Sequence, residues 1–411
     1  MTKKHIALLL KNRIDKKNFT EYILSKKVSG NLHYLNKLKG ILFSDIAIEN
    51  IIHEEYKYDS IKVAFEKNRK LSSFSSGERR KEFLKYCIRQ NPDYIIFDSA
   101  FDHLDSKSQL ELSNEIEHIS NQILIVQLTN SFADILSFIN QKFEIKNNNF
   151  EVEKINHPTL HNTVNFETSL PDGSENMNVE SNILVNFNNV EVSYNNKKIV
   201  TNINWVVKKN EFWQLIGPNG SGKSTLLSLI TGENTKAYGQ DITIFGQKKG
   251  TGESIWDLKK RIGYFSTTLT ELFSRNHTLE QLILSGYFDS IGLYQKPQTH
   301  QIYTVNQWLN IIHLTNYKKT PFRKLSLGHQ RLALIIRAIV KQPPLLILDE
   351  PLEGLDDENI TLVTQLINYL VSTTTTTILY VSHRVEPRLS PNLIFELVPN
   401  KNGSLGFIKS I

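Results

Sequence analysis

Residues 217–225 read Gly-Pro-Asn-Gly-Ser-Gly-Lys-Ser-Thr, and they restrict the fold of this chain more than any other segment. The apolar run 212–216 before them reads as a buried strand, and the Leu-rich run 226–230 after them as a helix. A glycine-rich turn between a strand and a helix lets backbone N–H groups converge at a helix N-terminus, where negative charge is favoured. This strand–loop–helix unit belongs to α/β sheets. Its residues Gly217, Pro218, Asn219, Gly220, Ser221, Gly222, Lys223, Ser224 and Thr225 form a candidate phosphate-binding loop. Lys223 is placed to reach β- and γ-phosphates, and the Ser224 hydroxyl to ligate Mg²⁺.

Residues 345–350 read Leu-Leu-Ile-Leu-Asp-Glu. A continuous apolar run suits a parallel strand buried on both faces. Asp349 at its end is a candidate metal ligand, and Glu350 a candidate base that orients and deprotonates an attacking water. Without the glycine loop, two strand-end acids facing solvent would be the simpler reading. His383 follows a further apolar strand, 378–381, and is a candidate γ-phosphate contact.

The same spacing occurs twice. Ser326 precedes Asp349 by 23 residues and Asp349 precedes Asp356 by 7; Ser75 precedes Asp98 by 23 and Asp98 precedes Asp105 by 7. Two matched spacings with matched chemistry predict an internal repeat. The predicted organisation is a first copy over residues 1–145, a polar linker over 146–181 that is rich in Asn, Glu, Thr and Ser and carries Pro158, Pro171 and Gly173, and a second copy over 182–411. The first copy is shorter by about 45 residues, taken here as loss from a helical insertion near 268–325. A gap-free overlay puts residues 11–18 on 217–224, so that Lys17 falls on Lys223 and Asn18 on Ser224. Lys11, Ile14 and Lys16 then stand at glycine positions, where side chains block close approach of backbone to phosphate. The position of Glu350 is Ser99, which is no base near neutral pH, and strand 123–126 is followed by Gln127 where a histidine is needed.

Tyr194, the glycine loop, Leu325-Ser326-Leu327-Gly328-His329, Asp349-Glu350, Leu355-Asp356 and His383 come in the order of an ATP-binding cassette (ABC) ATPase, a resemblance that covers nearly all of residues 183–411. The resemblance implies two P-loop cassettes in tandem, the N-terminal one truncated and degenerate, with ATP and Mg²⁺ as ligands and ATP hydrolysis as the activity. It also implies that Tyr194 stacks on adenine; a core aromatic is the alternative. Segments 256–264 (Trp-Asp-Leu-Lys-Lys-Arg-Ile-Gly-Tyr) and 285–292 (Ser-Gly-Tyr-Phe-Asp-Ser-Ile-Gly) further resemble the ModF type of molybdenum-transport ATP-binding protein, itself a tandem cassette. Two departures stand out. Thr267 occupies the place of a glutamine that contacts metal and water and couples to permeases. In the second signature, Leu327 replaces a glycine and His329 a glutamine.

In the family, the signature of one cassette closes on nucleotide held by another. Phe74-Ser75-Ser76-Gly77-Glu78 fits that signature loosely, with Ser75 and Gly77 at its most chemical positions. Ser-x-x-Glu is also an ordinary capping box. The first copy opens on its central strand, which leaves no preceding segment to stack on adenine. The expectation is one composite site in an intramolecular pseudo-dimer, or the same site in a swapped homodimer.

Composition bounds the setting. The chain of 411 residues has 40% hydrophobic and 22% charged residues, and no apolar stretch long enough to span a membrane. Its single cysteine, Cys87, excludes an internal disulfide and suits a reducing compartment. The expected location is cytoplasmic, or peripheral at the inner face of the cell membrane. A net charge of +6 suits ATP, nucleic acid and membrane surfaces alike. ATP binding and hydrolysis at the composite site are expected to drive a conformational switch. Three uses of it stay open: a subunit energising a membrane permease for molybdate or a related oxyanion, a translation-factor-like ATPase on ribosomes or RNA, and a sensor that binds ATP without hydrolysis. An intact Glu350 weighs against the third. The threonines 373–377 read as a solvated loop.

Overall fold

The computed structural model describes residues 4–410 except 13, 64–67, 103, 105, 147–149, 157–165, 167–168, 172–178, 253 and 274–275. Asp105, Pro158 and Gly173 lie outside the described residues. The chain divides into two compact units, Met1–His161 with Gly354–Asp357, and Asn162–Glu353 with Glu358–Ile411.

The first unit is built on strands β1 (Ile6–Leu10), β2 (Gly40–Phe43), β3 (Tyr94–Asp98), β4 (Leu124–Thr129), β5 (Gln141–Ile145) and β6 (Val152–Ile155), in the order β2-β3-β4-β1-β5-β6. All pairs are parallel except β5 with β6. Helices α1 (Lys16–Leu24), α2 (Asp45–Lys57), α3 (Ser76–Arg89) and α4 (Ser106–Ser120) accompany the sheet. Its two apolar cores explain the sequence pattern: alternate residues of β3, Ile95 and Phe97 against Tyr94 and Ile96, enter opposite clusters. Two boundaries differ from the sequence reading. Strand β6 lies within the segment read as linker: it pairs antiparallel with β5 and covers that edge of the sheet. Strand β4 runs on through Gln127 to Thr129. Gln127 is buried there because its amide donates to Asp134 O (2.7 Å) and accepts from Leu136 N (2.9 Å).

The second unit has two sheets. Strands β7 (Ile183–Tyr194), β8 (Lys197–Lys208), β10 (Asp241–Ile244) and β11 (Gln247–Lys248) form an antiparallel sheet ordered β11-β10-β7-β8. Strands β9 (Phe212–Ile216), β12 (Ile262–Ser266), β13 (Leu345–Asp349), β14 (Thr377–Ser382), β15 (Leu393–Val398) and β16 (Leu405–Ser410) form the other, ordered β12-β13-β14-β9-β15-β16. That is the first unit's order, strand for strand, again antiparallel only at its last pair. Helix α5 (Lys223–Ile230) leaves β9. A helical insertion follows β12 with α6 (Ile255–Arg261) just before it: α7 (Leu269–Leu272), α8 (Leu279–Leu284) and α9 (Thr299–Ile311). Helix α10 (Leu327–Ile339) leads to β13 and α11 (Asp357–Thr373) to β14. No helix among the described residues is long and apolar enough to cross a membrane.

The two segments singled out beside the cassette motifs are packing devices around the C-terminal half of α10. A Cβ on Gly286 or Gly263 would overlap the carbonyl oxygens of Arg337 and Ala338. Arg337 Nε donates to Ser285 Oγ (3.0 Å), and Lys341 pairs with Asp289 and with the Lys259 carbonyl.

Candidate functional site

The strand β9–helix α5 connection is left-handed where only glycine sits easily: φ is +75° at Gly220 and +101° at Gly222. A Cβ on Gly222 would come 2.5 Å from Val200 Cγ1, so the loop also needs glycine for space. Gly222 caps α5 without a side chain, which leaves the first amides of the helix open to an external acceptor. Lys223 is buried and curls back onto the carbonyls of Gly217 (2.7 Å) and Pro218 (3.4 Å). Ser221 Oγ is buried with no hydrogen-bond partner, an orphaned polar atom inside the loop. Open amides, a lysine and an unsatisfied hydroxyl fit the phosphate chain of ATP.

A cavity of about 510 Å³ opens on this loop. Its lining includes Tyr194, Asn219, Lys223, Thr225, Asp349 and Glu350, with Gly220, Gly222 and Ser224 between them. The structure thus gathers most of the predicted site residues around one space. Tyr194 is 42% exposed at the end of β7, so it is no core aromatic; its hydroxyl accepts from Asn234 Nδ2 (2.8 Å). His383 stands one residue past β14 and does not line the cavity. Thr267 lines it, as does Ile199, which the sequence reading missed because a lone apolar residue carries no motif. A larger cavity of about 580 Å³ lies where Pro343, Pro344 and residues 373–376 meet. It has neither glycine loop nor carboxylate, so donor chemistry, not volume, identifies the site.

Burial pushes the carboxyl of Asp349 up, opposed by the hydrogen bond from Tyr264 Oη (3.2 Å) and the Lys223 charge. Burial, then the Glu353 carboxylate, push Glu350 up to about 7. A carboxylate held near neutrality is a competent proton acceptor at working pH. The backbone at Glu350 is left-handed, φ +51°, and its N–H donates to Val381 O (3.0 Å).

The first unit repeats this geometry with other residues. Ser99 has φ +50°, and its N–H donates to Leu128 O (3.2 Å). Strand register fixes the correspondence: Asp98 pairs with Leu128 as Asp349 pairs with Val381, and Ile6 pairs with Val126 as Trp213 pairs with Leu379. Ile6 therefore matches Trp213, which shifts the gap-free overlay by one residue. Lys16, not Lys17, stands at the position of Lys223, and each is the first residue of its helix. Leu10, Arg13 and Asp15 stand at the positions of Gly217, Gly220 and Gly222; Arg13 lies outside the described residues. Asn130, after the full length of β4, takes the place of His383. Asp15 has φ −72° and caps α1 itself, accepting from Asn18 N (3.0 Å) and Nδ2 (2.8 Å). Lys16 Nζ donates to Ser99 Oγ (2.6 Å) and lies 3.5 Å from Asp98 Oδ1. A carboxylate thus fills the anion position at the helix start, and an ammonium sits on the strand-end acid.

Ser75 caps α3, and its N–H (3.1 Å) and hydroxyl (2.9 Å) both donate to Glu78 Oε2. In the second unit Ser326 caps α10, with Oγ accepting from His329 N (3.3 Å). Burial lowers the pKa of His329, whose ring lies 5.4 Å from that of Tyr317.

A glycine phosphate loop, a strand-end acid pair and this strand order define an ATP-binding cassette. The sequence profile of the ABC transporter family matches residues 200–353. The chain is 39% identical over 337 residues to the ABC transporter ATP-binding protein ModF of Escherichia coli (strain K12), covering 78% of this chain and 68% of that protein. An uncharacterized ABC transporter ATP-binding protein of Schizosaccharomyces pombe is 29% identical over 311 residues, covering 74% of this chain and 63% of that protein. An archaeal ribosome recycling factor, solved in complex with a ribosomal stalk protein, has the same fold at TM-score 0.65 and 14% identity, covering 100% of this chain and 87% of that one. The chain belongs to the ABC transporter ATP-binding protein family, as a tandem ATPase of ModF type. It binds ATP, and ATP hydrolysis is its activity.

Proposed function

We propose that the second unit holds one Mg·ATP and hydrolyses it, and that the first unit holds none and serves that nucleotide instead. One observation carries this reading. The position that is an open glycine-capped helix start with a free cavity in the second unit is closed by Asp15 and Lys16 in the first. In the working site the loop amides and Lys223 bind the phosphates, and Tyr194 offers its ring to the base. Ser224 Oγ and Asp349 are the residues suited to hold Mg²⁺, which when bound neutralises charge on the β- and γ-phosphates. Glu350, raised by burial and by Glu353, orients the attacking water and accepts its proton. His383, one residue past β14 and outside the cavity lining, is assigned a γ-phosphate contact from its place in the cassette order alone. The first unit supplies Ser75 and Gly77 at the start of α3, whose amides favour negative charge.

The cycle of binding and hydrolysis acts as a conformational switch. Its use is that of the ATP-binding subunit of a ModF-like transport system, with molybdate or a related oxyanion as cargo, a membrane permease as partner, and the inner face of the cell membrane as location. The resemblance of residues 256–264 and 285–292 and the identity to ModF support this use.

The test is steady-state Mg·ATP hydrolysis by the full chain beside Ser75→Arg, with ATP binding measured on both. Loss of turnover at retained binding is the expected result. Equal turnover by both proteins removes the first unit from the chemistry.

A further inference from the structure

Arg331, in the second turn of α10, is 6% exposed and makes no ion pair among the described residues; burial lowers its pKa, opposed only in part by the Glu353 charge. Its Nη1 donates to Thr270 Oγ1 (3.2 Å) and Nη2 to the Glu353 carbonyl (3.3 Å); the guanidinium lies 5.7 Å from the Phe265 ring centroid. Its Nε is buried without any acceptor. A buried cation with an idle donor is costly unless something compensates it.

The repeat shows what full compensation looks like. Arg80 stands five residues after the helix cap Ser75, as Arg331 stands five after Ser326. Arg80 forks onto Asp45, with Nε at 3.1 Å and Nη2 at 2.7 and 2.6 Å from the two carboxylate oxygens, and its Nη1 donates to the Asp102 carbonyl. Asp102 and Glu353 each lie four residues past the strand-end aspartate, and Asp45 and Thr270 each lie in the first turn of the helix that follows the edge strand, α2 and α7. Each arginine therefore ties the same two turns. In the first unit the tie is a bidentate ion pair; in the second it is one hydroxyl and one carbonyl. In the second unit these turns carry residues of the nucleotide cavity, Thr267 on one and Glu350 on the other.

We propose that Arg331 is a positioning residue for hydrolysis: it sets the Glu350 turn against the Thr267 turn, and its missing carboxylate leaves that tie loose enough to shift during turnover. The inference rests on ATP being held in the second unit's cavity.

Arg331→Met, Arg331→Lys and Thr270→Asp in the full chain test it. Arg331→Met is expected to lower kcat about tenfold or more with KM for ATP changed less than about threefold, and Arg331→Lys to recover part of kcat, a split that lost folding does not produce. Thr270→Asp gives Arg331 the carboxylate that Arg80 has. It is expected to raise Tm and to lower kcat, two effects of opposite sense. Unchanged kcat in Arg331→Met overturns the positioning role. A Thr270→Asp protein with lower Tm, or with raised Tm and full kcat, overturns the loose tie. If Arg331→Met does not fold, Arg331→Lys and Thr270→Asp carry the test. Wild-type hydrolysis that survives Glu350→Gln overturns the reading of the site itself and leaves a distinct signature from any of these.

Discussion

The two units share one strand order and one backbone bend after the strand-end aspartate, yet one helix start is Asp15 and the other Gly222. At that position φ is −72° in the first unit and +101° in the second. The difference teaches that a phosphate site can close without a change of fold. Asp15 satisfies a helix-start amide, that of Asn18, and puts a carboxylate where a phosphate would sit. Lys16 satisfies the acid that a metal would satisfy. What remains is a cassette whose own phosphate position is neutralised from within.

The largest expected effect separates the residues at φ +51° and φ +50°. Glu350→Gln should lower kcat by about 10²–10⁴ while ATP binding persists, since it removes the proposed general base and little else. Ser99→Glu should restore nothing, because Lys16 and Asp15 still close that site. Turnover by Glu350→Gln above about a tenth of wild type would break the comparison at its centre.

Exchanging the helix starts comes next. Gly222→Asp places the first unit's residue at a left-handed position 2.5 Å, by its Cβ, from Val200 Cγ1. The backbone strain alone costs about 1–2 kcal/mol. Loss of ATP binding in equilibrium titration is the expected outcome. The reverse change, Asp15→Gly, should cost the first unit only a few tenths of a kcal/mol and confer no ATP binding, since Leu10 and Lys16 remain. Binding gained by Asp15→Gly would show that one carboxylate alone closes the site.

Lys16→Met should cost about 1 kcal/mol, at the low end for a removed partner because the Lys16 and Asp98 side chains keep 30% and 15% exposure. Adding Asp98→Asn should return part of that loss, the mark of coupled residues. Additive losses would show that the pair is incidental.

The sequence revealed much of this architecture, unevenly. Glycines 217, 220 and 222 and the acids 349 and 350 were legible because loop, strand and charge each demand particular residue types. The repeat was legible from two spacings. Register was not: the runs 6–10 and 212–216 have equal length, so an overlay by their ends slides by one, and only the parallel pairing places Lys16 on Lys223. Strand β4 was read short because Gln127 looks like a strand end until its two hydrogen bonds are seen. The tie made by Arg331 was invisible, since its partners are a carbonyl and a hydroxyl far off in sequence.

The smallest expected effect is an absence of change, and the chain carries the probes for it. Its only cysteine, Cys87, is in the first unit, fully buried, with burial pushing the thiol up to about 12; all four tryptophans are in the second. A buried, protonated thiol reacts only when the surrounding structure opens. Thiol labelling in the native state therefore follows the first unit, and tryptophan fluorescence the second. ATP at about a hundred times Kd should raise the second unit's stability by about 2.7 kcal/mol. In the Ser75→Arg background, which removes the proposed contact of the first unit with that nucleotide, Cys87 labelling should keep its rate. Slower labelling there would mean that the first unit binds ATP itself. Under the proposed role of Ser75 and Gly77, ATP should slow Cys87 labelling in the wild type and not in Ser75→Arg; equal rates with and without ATP in the wild type would break that proposal.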